Sequence, residues 1–130
     1  NIFDISIKSL VDEFKKILEK LGRLENGYSK QPLLNLLNNN NETIRSLAIK
    51  NLAKIGDVSL LDTFVNFAKQ DESTEVRRES VSAIGRLRNE KTIPTLIKLL
   101  ADKDPKVVMQ AIRGLLVFSN NNQVKYCCSG

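Results

Sequence analysis

The sequence predicts an all-α solenoid, and three observations carry that prediction. A pattern recurs three times at a spacing of 31 to 32 residues within a chain of 130. Each copy holds two stretches of helical apolar periodicity separated by a polar turn. No segment alternates apolar and polar residues between turn dipeptides, so no sheet is expected.

The copies align through the strings ETIRSLAIKNLAKIG, TEVRRESVSAIGRLR and PKVVMQAIRGLLVFS. Ile44, Val76 and Val107 coincide, as do Ala48, Ser80 and Ala111, Leu52, Ile84 and Leu115, and Ile55, Leu87 and Phe118. Upstream, Leu33-Leu34, Phe64-Val65 and Leu96-Ile97 fall into the same register. Ile44, Leu47, Ala48, Leu52 and Ile55 step by 3, 1, 4 and 3, which is one face of an α-helix. Each copy is therefore a hairpin of a shorter helix A and a longer helix B. The A helices are placed near 31–38, 59–69 and 92–101, and the B helices near 42–55, 74–87 and 105–118.

The boundaries have their own signals. Asn41, Ser73 and Asp104 each stand three residues before the Ile or Val that opens helix B, where a side-chain oxygen can accept from the orphan N–H groups of the first turn. Pro105 takes the first helical position, which needs no N–H. Gly56 stands where the first helix B should stop. Ser59, with Asp62 three residues on, is the expected start of the second helix A. The expected core is Leu34, Leu37, Ile44, Ala48, Leu52, Phe64, Val76, Ile84, Leu96, Leu100, Val107, Ala111 and Leu115.

Ahead of the repeats, Ile7, Leu10, Phe14, Ile17 and Leu21 predict an amphipathic helix over 4–21. Val11 and Leu18 broaden its stripe, so it is read as a cap over the first repeat, with a dimerisation helix as the alternative. The chain is thus one solenoid domain over 1–130: a capping helix at 4–21, repeats at 31–57, 58–89 and 90–119, and 120–130 as a tail or truncated next repeat. Residues 123–128 are read as the start of a fourth helix A without its partner. Val108, Met109, Ile112, Leu116 and Val117 give the third helix B more apolar surface than its predecessors, so a further repeat or another chain is expected there. The sequence is accordingly expected to be a fragment of a longer protein.

Composition excludes several functions. A chain of this length fits one domain, and its 42% apolar and 27% charged residues are ordinary for a globular protein. With no histidine, Ser-His-Asp and Cys-His systems and imidazole-ligated zinc are excluded. Tryptophan is absent and only seven residues are aromatic, so base-stacking platforms are not expected. Cys127 and Cys128 are adjacent and cannot staple a fold, which suits a cytoplasmic protein with reduced thiols. No run approaches the ~20 apolar residues of a membrane span. Glycines are isolated, so no loop cradles phosphate. Acids such as Glu42, Glu72 and Glu75 sit at helix starts and turns, where the helix dipole accounts for them. No catalytic constellation, cofactor or metal site is expected, and the chain is read as no enzyme.

The stretches LLNLLNNNNETIRSLAIKNLAKIG, FVNFAKQDESTEVRRESVSAIGRL and LIKLLADKDPKVVMQAIRGLL resemble HEAT repeats, in particular the short HEAT-like repeats named after the phycobilisome bilin lyases. The resemblance covers residues 31–118. It implies a right-handed stack with the B helices on the concave side. It also implies an Asp–Arg ladder between neighbouring repeats: Asp71 and Asp102 match the Asp position while Asn39 departs, and Arg45 and Arg77 match the Arg position while Val108 departs. Pairs of Arg45 with Asp71 and Arg77 with Asp102 follow. Neither activity found among HEAT-like proteins is expected here: HEAT-like DNA glycosylases are longer arrays with lesion-site tryptophans, which this chain lacks, and the bilin lyases are longer arrays with partner subunits.

The candidate binding residues are the basic side chains of the B helices: Arg45, Lys50, Lys54, Arg77, Arg78, Arg86 and Arg113, with Arg88 just beyond a helix end. One reading makes them a solvated face plus the ladder; the other makes them a positive stripe tracking a phosphate backbone, interrupted by Glu42, Glu75, Glu79 and Glu90. The net charge of +5 is modest for the second. The expected function is a non-catalytic binding module holding a protein or peptide partner on its B-helix face. The alternatives are a non-specific nucleic-acid-binding appendage of a DNA-modifying enzyme and a structural or oligomerising spacer.

Overall fold

The computed structural model describes residue 9 and residues 12–16, 30–122 and 124–125. Six α-helices form three hairpins: α1 (Gln31–Leu36) with α2 (Glu42–Ile55), α3 (Leu61–Gln70) with α4 (Thr74–Arg86), and α5 (Ile93–Leu99) with α6 (Pro105–Leu116). Each A helix packs on its own B helix, and successive B helices pack on one another far more extensively than successive A helices do. That asymmetry is the all-α solenoid expected from the repeats, with no strand among the described residues.

The helices begin where side chains satisfy their first N–H groups. The Asn41 side chain accepts from Thr43 and Ile44, Ser73 from Val76, and Asp104 from Lys106. α2 ends at Gly56, whose φ of 73° is left-handed and easy only for glycine. The starts of α3 and α5 differ from expectation. A 3₁₀ turn precedes each, at Val58–Leu60 and Glu90–Thr92. Asp57 caps the first by accepting from Ser59, and Asn89 caps the second by accepting from Lys91. Ser59 is therefore the recipient of the cap rather than its source, and α3 begins at Leu61.

Packing follows the helical stripe. Phe64, Leu52, Ile84, Leu96 and Leu115 have no solvent exposure, and each such side chain contributes roughly 1.5–3 kcal/mol of transfer free energy. Leu37 and Leu96 are buried as expected, but Leu34 and Leu100 are only half-buried against the core, and their neighbours Leu33 and Leu99 take the interior positions. Beyond α6 the chain turns helical again at residue 122, and Val124 enters the core with 2% exposure. Residues 122, 124 and 125 are thus helical, and Val124 joins the core cluster.

Of the helix expected over 4–21, residues 9 and 12–16 are helical; Phe14 is half-buried there while its neighbours Asp12, Glu13, Lys15 and Lys16 are exposed. The rest of that segment, residues 22–29 and Cys127–Cys128 lie outside the described residues. No helix among the described residues is long and apolar enough to cross a membrane.

Candidate functional site

The A–B turns decide the fate of two candidate residues. The first turn of helix B carries an arginine toward the next repeat, and that repeat's turn carries an aspartate toward it. Arg45 meets Asp71 through two parallel hydrogen bonds, Nε to Oδ2 and Nη2 to Oδ1, both at 3.0 Å. Its Nη1 donates to the carbonyls of Asn39 and Asn40 at 2.9 and 3.0 Å. Arg77 follows the same plan with a single bond to the aspartate: Nε donates to Asp102 Oδ2 at 3.1 Å, Nη1 to the carbonyls of Asp71 and Glu72, and Nη2 to Thr74 Oγ1. Both arginines are buried. Hydrogen bonding to Asp71 raises the Arg45 pKa above its ordinary value, against the opposing effect of burial.

The third member of each turn is the Asx position. Asn39, Asp71 and Asp102 accept from the N–H of Asn41, Ser73 and Asp104 respectively. Asn39 therefore keeps the turn-forming role of the aspartates without the charge. Val108 occupies the slot where a third arginine would stand, and the ladder stops there.

Arg45 and Arg77 thus stand apart from the rest of the basic stripe, as fasteners between repeats. Arg78 is also engaged: it donates to Glu75 Oε1 at 2.6 Å and to Glu79 Oε2 at 3.2 Å. Arg78 in turn lowers the Glu75 pKa, whereas burial raises that of Glu79. Lys50, Lys54, Arg86 and Arg113 are exposed.

The structure gathers part of the stripe. Arg86 and Arg113 line a concavity of about 380 Å³ between α4 and α6, together with Arg88, Val81, Gly85, Gly114 and Val117. A second hollow of about 340 Å³ continues along the same pair of helices, lined by Arg78, Lys106, Met109 and, shared with the first, Gln110 and Arg113. The floor of the first concavity is set by a close approach of two glycines: a Cβ on Gly85 would lie 3.4 Å from the Gly114 Cα, and one on Gly114 would lie 3.2 Å from Leu96 Cδ1. Met109 and Val117, each about half exposed at 50% and 48%, supply apolar walls. Lys50 and Lys54 stand on α2, outside this groove. Sequence reasoning missed Gly85, Gly114 and Gln110; register comparison with the first repeat carries the signal that finds them.

A stack of helical hairpins, fastened through buried Arg–Asp pairs and open along its B helices, defines the class: an α-solenoid repeat protein. The family model for HEAT repeats matches residues 61–125, half of the chain, and the chain belongs to the HEAT-repeat family. None of the curated proteins matches it. Among solved structures it is similar to a chain in the complex of CpcE and CpcF of phycocyanin lyase from Nostoc sp. PCC7120, with a TM-score of 0.70 and 21% identity over 89% of this chain and 82% of that one.

That likeness is one of fold, and it corrects two expectations. Array length does not set this chain apart from the chain in that complex, because the match covers 89% of this chain and 82% of the other. The expectation that the chain is no enzyme also falls, since a chain of the same architecture belongs to a lyase complex. The missing histidine and glycine-rich loop exclude particular chemistries; they do not exclude a solenoid from a catalytic assembly.

Proposed function

We propose that this chain is an interaction module whose B-helix face holds a protein or peptide partner, in the cytoplasm. The observation that carries the reading is the continuous groove between α4 and α6, where Met109 and Val117 offer exposed apolar walls beside polar rims. Family membership supports it, because a stack of hairpins presents an extended surface suited to an elongated partner. A phosphate-tracking role draws less support: Arg45 and Arg77 are spent on the ladder, and Glu75 and Glu79 stand beside Arg78.

The test is site-specific photocrosslinking in the native host. A benzophenone amino acid at Met109 should yield a discrete protein adduct, and the same group at Lys98, exposed on helix α5, should not. Equal labelling from both positions, or adducts to nucleic acid alone from Met109, would overturn the assignment of this face.

A further inference from the structure

The positions lining the groove between α4 and α6 have register counterparts on α2 and α4, and the two sets differ in floor and in the placing of charge: Ser82 and Val117 stand where the α2 and α4 positions hold Lys50 and Arg86, while arginine appears at two other places. Where the set on α2 and α4 has Ala53 and Ala83, the groove has Gly85 and Gly114, which removes two methyl groups from its floor. Where the first has Ser82, the second has Arg113. Where the first has Glu79, the second has Gln110. That exchange matters because Glu79 acts electrostatically on Lys50 and on Arg86, which both sets share, whereas none of the residues lining the groove between α4 and α6 is acidic. Where the first has Gly56, the second has Arg88.

Arg88 carries an independent mark. It holds φ at 49°, the left-handed conformation that Gly56 adopts at 73° in the same position of the preceding repeat. Arginine at such a site strains the backbone, and strain of this kind gathers at binding sites. Its side chain lines the concavity with those of Arg86 and Arg113. None of the three has a carboxylate within ion-pair distance among the described residues.

We propose that this glycine-floored groove is a carboxylate-binding subsite, and that its occupant is an acidic segment of a protein partner in which Asp or Glu residues alternate with an apolar side chain. The inference rests on the interaction-module reading and names the partner's chemistry. Three arginines converging on one concavity fit the forked geometry of carboxylates, and Val117 and Met109 suit the intervening apolar residue. A duplex would need cations spaced along a track, whereas Arg86, Arg88 and Arg113 line a single concavity.

The experiment is fluorescence anisotropy with the full chain and a labelled peptide of four Glu-Glu-Leu units, against its Gln-Gln-Leu counterpart and a labelled 20-base-pair duplex. The acidic peptide should bind at least tenfold tighter than the amide peptide and tighter than the duplex. Arg113→Gln and Arg88→Gly should each weaken it at least fivefold, while Lys50→Gln, outside the groove, should leave it unchanged. Equal binding of the two peptides, indifference to Arg88 and Arg113, or tighter binding of the duplex would each overturn the proposal. A Met109 crosslink to a protein that persists alongside such a failure would leave the interaction module standing and remove only its preference for acidic partners.

Discussion

Gly56 and Arg88 occupy the same place in successive repeats and share one left-handed backbone conformation, with φ at 73° and 49°. The hydrogen bonding is shared too: the Gly56 N–H donates to the Ala53 carbonyl at 3.2 Å, and the Arg88 N–H to the Gly85 carbonyl at 3.2 Å. The turn that ends helix B is thus built alike in both repeats, but only the first uses the residue for which it costs nothing. A β-carbon in this region costs roughly 1 kcal/mol. Arg88→Gly should therefore stabilise the fold by about 1 kcal/mol, raising Tm by about 4 °C in a domain of this size. Scanning calorimetry of the variant checks it; an unchanged or lower Tm would show that the Arg88 side chain makes a compensating contribution to the fold.

The ladder predicts a large and specific loss. With Arg45 truncated to alanine, the Asp71 carboxylate stays in place with its side chain only 7% exposed and no counter-charge. Removing one member of such a pair costs about 3 kcal/mol, whereas Arg78→Ala, whose partner Glu75 is half exposed, should cost under about 1 kcal/mol. The double variant Arg45→Met with Asp71→Leu should recover part of the loss but not all of it, because the carbonyls of Asn39 and Asn40 also lose their donor. Urea midpoints for Arg45→Met, Asp71→Leu and the double give the coupling directly. Additive losses would show that the pair does not fasten the repeats.

The legible part of this molecule was the part that repeats. Ile44, Val76 and Val107 share a register, the same three hairpins set their caps at Asn41, Ser73 and Asp104, and the structure follows them. The pairing of Arg45 with Asp71 was legible only through family resemblance, since the partners lie 26 residues apart and no local pattern links them. In the short A helices the pattern places Leu37 and Leu96 correctly but does not separate Leu33 from Leu34 or Leu99 from Leu100, because six or seven residues give too few turns to fix a stripe. The groove was not legible as a site. Its floor depends on two glycines from different helices meeting, and its arginines on which B helices adjoin, which is tertiary information.

That glycine contact predicts an asymmetry between two similar substitutions. A methyl on Gly85 would make ordinary van der Waals contact at 3.4 Å, so Gly85→Ala should be neutral or slightly stabilising through its better helix propensity. A methyl on Gly114 would press on Leu96 Cδ1 at 3.2 Å, and Leu96 is wholly buried with little room to shift. Gly114→Ala should therefore cost about 1 kcal/mol net, the strain of overpacking exceeding the propensity gain. Thermal melts of the two variants side by side decide it, and equal effects would place the tight contact elsewhere.

Asp57 predicts how stability depends on acid. Hydrogen bonding to the Lys30 side chain, reinforced by Ser59, lowers its pKa from 3.8 to about 2. A carboxyl whose folded pKa lies below its unfolded value favours folding when ionised, so its contribution is present above about pH 4 and is lost as the pH falls towards 2. Glu79 works in the opposite sense, because burial raises its pKa and protonation relieves that penalty. Asp57→Asn separates charge from capping, since Asn89 serves as the cap at the equivalent turn of the next repeat. The variant should be less stable than the parent at pH 6, with the two urea midpoints converging as the pH approaches 2. High salt should narrow the gap at pH 6, because the pair is open to solvent. A difference that persists undiminished at pH 2 would assign the role of Asp57 to its hydrogen bonds with the turn rather than to its charge.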